Sequence, residues 1–199
     1  MKYRAGLAVA VTVAMGLVLL VAGSSAQGIW DSFLEEFYEV ATAQVLDADG
    51  GVLGDVSFFT AEDRIDAIMI VGWFSGLTPG FHGFHIHATG SCDAATERPF
   101  TSAGGHLNHA EASHTHGDHN GDLPSLFALE TGEAFVMIGT DRATAQSLLD
   151  EDGSAIIVHA DPDNFGNIPE RYGTPDETTL ATGDAGARIG CGVVVAAGG

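Results

Sequence analysis

From Ala41 to Ala196 the chain breaks into short apolar runs, each closed by turn residues. Ala41–Leu46 is followed by Asp47-Ala48-Asp49-Gly50-Gly51, and Val52–Phe59 comes next. Ile65–Phe74 closes on Leu77-Thr78-Pro79-Gly80, and Phe81–His87 follows. Leu126–Leu129 and Ala134–Ile138 flank Glu130-Thr131-Gly132-Glu133 as a hairpin; Ala155–His159 and Ile189–Ala196 complete about eight strands. Closely spaced strands of this kind predict an all-β sandwich or flattened barrel. Two stretches, Ala88–Pro124 and Ala160–Ala187, lack strand character. Loops of that length inside a small domain are usually functional.

The ends of the chain read differently. Met1-Lys2-Tyr3-Arg4, an uncharged run from Ala5 to Gly23 and Ser24-Ser25-Ala26 have the layout of an export signal over residues 1–26. The apolar run is also close to the length that spans a bilayer, so a retained anchor is the alternative. In either case the domain at 41–199 is expected outside the cytoplasm, in a periplasm, on a cell surface or in the medium. Between them, residues 27–40 space Trp30, Phe33, Leu34, Phe37 and Tyr38 as a short amphipathic helix, with Ser32 and Glu35 as a capping box. A homodimer contact through that helix is open.

Charge narrows the choice of partners. The chain has 7 Lys plus Arg against 27 Asp plus Glu, and no lysine after Lys2. Such a surface repels nucleic acid and anionic lipid, and both are set aside apart from the N-terminal anchor. An anionic substrate would need a local positive spot. The two cysteines, Cys92 and Cys191, form an even pair that suggests one disulfide in an oxidising compartment.

All nine histidines fall between His82 and His159. In an exported protein such a cluster points to metal. His85 and His87 sit two apart on a strand, so both project from one face. His82 has the opposite parity and reads as a structural histidine with a hydrogen-bonded ring. His159 ends the apolar run Ile156-Ile157-Val158, where a lone histidine is more often a satisfied core residue. His116-Gly117-Asp118-His119-Asn120-Gly121-Asp122 supplies two histidines and an aspartate within seven residues. Adding His106 gives a His₃Asp set suited to zinc. Asp118 reads as solvated.

At these residues the chain resembles the copper–zinc superoxide dismutases of the exported bacterial type. Gly80-Phe81-His82-Gly83-Phe84-His85-Ile86-His87 is similar to the family's first signature, and Ser102-Ala103-Gly104-Gly105-His106 to the segment with its bridging histidine. Gly121-Asp122-Leu123-Pro124 follows the zinc segment as in bacterial members; Gly183-Asp184-Ala185-Gly186-Ala187-Arg188-Ile189-Gly190-Cys191-Gly192 is similar to the second signature. The resemblance implies a Greek-key β-barrel and the dismutation of superoxide to O₂ and H₂O₂ with one copper and one zinc. It implies copper on His85, His87, His106 and His159. Zinc would be held by His106, His119, Asp122 and a third histidine, His116 by its spacing to His119 or His114 by its interval from His106. It further implies Arg188 as the active-site arginine, a Cys92–Cys191 disulfide, and Asp163, rather than Asp161, joining a copper histidine to a zinc histidine. His109 and the unused member of the His114/His116 pair are outside the family pattern. The alternative is a non-catalytic exported metal-binding module on the same fold.

Overall fold

The computed structural model describes residues 36–62, 64–109 and 115–198. Ten strands carry the fold: β1 Phe37–Leu46, β2 Val52–Ala61, β3 Ile68–Phe74, β4 Gly80–His82, β5 Phe84–His87, β6 Leu126–Ala128, β7 Ala134–Thr140, β8 Ala155–His159, β9 Arg188–Val193 and β10 Val195–Ala196. Two short helices, α1 Ala145–Leu148 and α2 Glu177–Thr182, lie in the connections. The large sheet runs β5-β8-β9-β1-β2-β3-β7, with β10 beside β1, and β4 pairs with β6 as a separate ribbon. Pairings such as β5 with β8 and β9 with β1, all antiparallel, join strands distant in sequence. This is the Greek-key pattern.

Alternation along the strands separates two interiors. Phe84 and Ile86 of β5, and Ile156 and Val158 of β8, enter the main core with Phe58, Ile70, Phe74, Leu123 and Leu126. Phe74 and Phe84 meet edge to face, with ring centroids 5.7 Å apart. The other face of β8 turns Ala155 and Ile157 toward Phe100, Ala103 and Cys191. His85, His87 and His159 have that second parity, so they point away from the main core. They are nevertheless buried, beneath the two long connections, 88–125 and 160–187. The Cys92–Cys191 disulfide ties the first connection to β9, with Cα atoms 5.7 Å apart.

Three details depart from the sequence expectation. The helix expected over 27–40 does not reach its C-terminal end, because Phe37–Val40 open β1 as strand; residues 27–35 lie outside the described ones. Phe37 pairs with Ala61, Tyr38 with Thr60 and Glu39 with Phe59. Backbone pairing along β2 outweighs the helical spacing of the aromatic residues. The run beginning at Ile65 becomes strand only at Ile68. A turn precedes it, in which Thr60 Oγ1 donates to the carbonyls of Arg64 and Ala67, both at 3.0 Å. The run Phe81–His87 divides at Gly83 into β4 and β5, which belong to different sheets. A side chain at Gly83 would collide with Ala185.

Candidate metal centre

The centre grows from β5. On one side β5 pairs with β8, His85 lying opposite Ile157 and His87 opposite Ala155. On the other it receives the connection: His87 bridges to His106 and His85 to Asp122. Ile86 N–H donates to the Gly121 carbonyl (2.9 Å), and Leu107 N–H to the Ile86 carbonyl (2.8 Å). The approach is so close that a Cβ at Gly121 would overlap the Ile86 carbonyl oxygen. Gly121 is therefore needed for this docking. Main-chain pairing delivers two loop residues beside two strand residues.

Two quartets of ligand atoms result, each within 4.8 Å of one another: His85, His87, His106 and His159, and His85, His106, His116 and Asp122. His85 and His106 belong to both. His106 Nδ1 lies 2.7 Å from Asp122 Oδ1, which leaves Nε2 for the first group. His119 stands outside the second quartet, yet its Nδ1 is 3.3 Å from Asp122 Oδ1. His116 Nδ1 is 3.1 Å from the same oxygen. Three histidine nitrogens thus surround one carboxylate oxygen. His85 has Nε2 committed to Asp163 and only Nδ1 left, which fits the first group. His119 is a further candidate beside His106, His116 and Asp122. His114 lies outside the described residues, and His109 is exposed, its backbone N–H donating to Asn120 Oδ1 (2.9 Å).

Four of the histidines have their far nitrogen held. His85 Nε2–H donates to Asp163 Oδ2 (2.6 Å), and His116 Nε2–H donates to Asp163 Oδ1 (2.8 Å). Asp163 thus links the two groups. His87 Nδ1–H donates to the Gly104 carbonyl (3.0 Å) and His159 Nδ1–H to that of Gly186 (3.2 Å). These partners fix tautomer and ring orientation. They leave His85 Nδ1, His87 Nε2 and His159 Nε2 buried without a hydrogen-bond partner. Unpaired nitrogens converging in one buried place are costly unless a cation takes their lone pairs. His116 Nδ1 lies 3.1 Å from Asp122 Oδ1, a place that either a proton or a metal ion can fill. The donor set fits: four imidazoles suit copper, and His₃Asp suits zinc.

His82 has its parity on the other side. Its Nδ1 lies 2.7 Å from the His159 carbonyl, and its Nε2 lies 2.8 Å from the Thr78 carbonyl and 3.3 Å from the Thr78 hydroxyl. Arg188 enters at a bulge between Val158 and His159 that sets it opposite His159. Its Nη1 donates to the Phe100 carbonyl and its Nη2 to that of Gly104, both at 2.6 Å. The Gly104 oxygen therefore serves both His87 and Arg188. Sequence reasoning missed Gly104, Phe100 and Gly186 as acceptors, because a main-chain carbonyl leaves no side-chain signature. It also missed Gly183, where a left-handed φ of 59° and a missing Cβ leave room against Asp163 and His116.

The electrostatics divide along the same line. Burial is the main cause of the downward shift in His85 and His87, in His159 to about 3 and in His106 to about 4. His116 goes the other way. Burial pulls it down, but hydrogen bonds to Asp122 and Asp163 lift it to about 9. Both aspartates are held well below the usual carboxylate range: burial opposes this, and bonds to His106 and His116 for Asp122, and to His116 and His85 for Asp163, prevail.

A Greek-key β-fold whose buried histidines form two adjoining ligand groups, sharing His106, defines a candidate two-metal protein. The family model for copper/zinc superoxide dismutase (SODC) matches residues 52–194. A superoxide dismutase [Cu-Zn] of Mycobacterium tuberculosis is 41% identical over 167 residues, covering 77% of this chain and 69% of the relative. One from Caulobacter vibrioides is 36% identical, covering 77% and 84%. Among solved structures, a SOD-like protein from Bacillus subtilis aligns with a TM-score of 0.60 at 30% identity, over 77% of this chain and 97% of that one. The chain belongs to the copper/zinc superoxide dismutase family.

Proposed function

We propose that His85, His87, His106 and His159 hold copper, that His106, His116, His119 and Asp122 hold zinc, and that Arg188 receives the substrate. The reaction is the dismutation of superoxide to O₂ and H₂O₂, and the chain is an enzyme. The observation that carries the residue assignment is the set of buried, unpartnered nitrogens on His85, His87 and His159 beside His106.

Copper, when bound, supplies the one-electron chemistry that oxidises one superoxide and reduces a second, while zinc adds charge and order without electron transfer. The chain's own residues do the rest. Burial keeps His87, His106 and His159 neutral near pH 7, so their lone pairs are available. Carbonyl and carboxylate partners hold the rings in place before a ligand arrives. Arg188 commits two donors to carbonyls, which locks the guanidinium plane; its remaining donors can orient a small anion. On a surface this acidic, it provides the local positive spot. With the ions bound, His106 would serve both groups through its two ring nitrogens, and Nε2, the nitrogen away from Asp122, could hold a proton for the peroxide product.

Export belongs to the same proposal. Residues 1–26 would act as the signal, removed or kept as an anchor, and the Cys92–Cys191 disulfide supports an oxidising compartment. The test uses one purified sample, measured for metal content and superoxide decay. One copper and one zinc per chain with fast decay is the expected result. Several loosely held ions with no decay would favour a metal-binding module.

A further inference from the structure

The turn that carries His116, His119 and Asp122 has two sides. On the inner side the Gly117 and His119 N–H groups donate to Asp122 Oδ2 at 2.6 and 2.9 Å. That grip leaves Asp122 Oδ1 to face the nitrogens of His106, His116 and His119. On the outer side, the carbonyls of the same two residues accept from one nitrogen. Arg142 Nη1 lies 2.7 Å from the Gly117 oxygen and 3.4 Å from that of His119. The tie is reciprocal, because Asn120 Nδ2 donates to the Arg142 carbonyl (2.8 Å). Asn120 Oδ1 then accepts from His109 N–H (2.9 Å), drawing in the segment after His106.

Arg142 stands just after β7, and its N–H donates to Thr140 Oγ1 (3.1 Å). β7 is paired with β3 without a break from Ile68–Thr140 to Phe74–Ala134. The guanidinium is therefore mounted on the rigid edge of the barrel while it grips a turn of the long connection. Charge-assisted hydrogen bonds are roughly twice as strong as neutral ones. Arg142 is also one of only 7 Lys plus Arg in the chain.

We infer that Arg142 is a positioning residue for zinc: by holding the Gly117 and His119 carbonyls from outside, it fixes the turn in the form in which the N–H groups of the same two residues grip Asp122 and aim it at the ion. The inference rests on the zinc ligands proposed above. Both outer bonds leave a single nitrogen, so a lysine ammonium can replace the contact in kind, whereas a methionine keeps only the stem.

The holoenzyme, as purified, is challenged with a chromophoric zinc chelator, and zinc loss is timed for the parent, Arg142→Met and Arg142→Lys. Zinc should leave Arg142→Met about 10-fold faster, the scale of lost outer-shell support. Arg142→Lys should restore most of the retention, copper should stay bound in both, and the melting temperature of the metal-free proteins should be nearly unchanged. Zinc loss within twofold of the parent in Arg142→Met would overturn the inference. So would equal acceleration in Arg142→Lys, or metal-free melting lowered as much as that of the holoenzyme. Asp122→Ala separates the two readings. If that variant keeps its zinc, the ligand assignment fails; if it loses zinc while Arg142→Met holds it, only the role of Arg142 fails.

Discussion

The proposed copper and zinc groups are neighbours, but they are built by different means. Three of the four residues on the copper side, His85, His87 and His159, stand on paired strands β5 and β8. All four on the zinc side, His106, His116, His119 and Asp122, come from the connection between β5 and β6. The copper side is neutral imidazole forced down by burial. The zinc side is organised around a carboxylate whose charge outweighs burial and raises His116 to about 9. Sheet geometry pre-forms the first group, whereas the second gathers His106, His116 and His119 around the Asp122 carboxylate, where protons hold the places an ion would take. His106 and Asp163 couple the halves.

The largest effect tests that separation. His87→Ala should reduce dismutation to the level of the metal-free protein and lose copper while keeping zinc. Asp122→Ala should lose zinc while His85, His87 and His159 still hold copper. Metal analysis of both variants breaks the comparison if either loses both ions. Next, Arg188→Ala should slow turnover by roughly 10²-fold, the cost of a pre-organised donor, with copper content near normal. Arg188→Lys should fall between, because the charge remains and the fork is lost. Loss of copper in Arg188→Ala would make the residue a support of the Phe100–Gly104 loop rather than a substrate contact.

Asp163→Asn should act on both halves at once, weakening copper and zinc by at least about 10-fold each in competition titrations. An effect on one metal alone would show that Asp163 does not couple them. The smallest expected effect is on the metal-free protein. His106 and His159 have folded pKa values of about 4 and 3, below the unfolded value. The unfolded chain therefore binds more protons between about pH 6.5 and those values, and stability falls as pH drops through that window. His116, raised to about 9, adds stability present below about pH 6.5 and lost as pH rises through 9. Denaturant melts of metal-free protein should show both limbs; a flat profile from pH 4 to 9 would contradict this burial pattern.

Much of this was legible in the sequence, because strand parity is a local rule. Phe84 and Ile86 alternate with His85 and His87, and Ile156 and Val158 with Ile157 and His159, so the histidines had to share the face opposite the core. The tight spacing of His116, His119 and Asp122 placed two histidines and an aspartate in one turn. What could not be read is non-local. The helical spacing of Phe37 and Tyr38 gave no sign that β2 would claim them. Gly83 hid a change of sheet within an unbroken apolar run. Arg142 is 25 residues from Gly117, and only the folded chain brings its guanidinium to that carbonyl. The acceptors for Arg188 are main-chain oxygens of Phe100 and Gly104, which any residue could offer.

The central claim is a pair of metal sites sharing His106, and anomalous diffraction from crystals of the purified protein, collected across the copper and zinc edges, tests it directly. One copper peak bounded by His85 Nδ1, His87 Nε2, His159 Nε2 and His106, and one zinc peak bounded by His106, His116, His119 and Asp122, are expected. A single peak, a zinc peak at His114 in place of His116, or a pair of peaks that do not share His106 would contradict it.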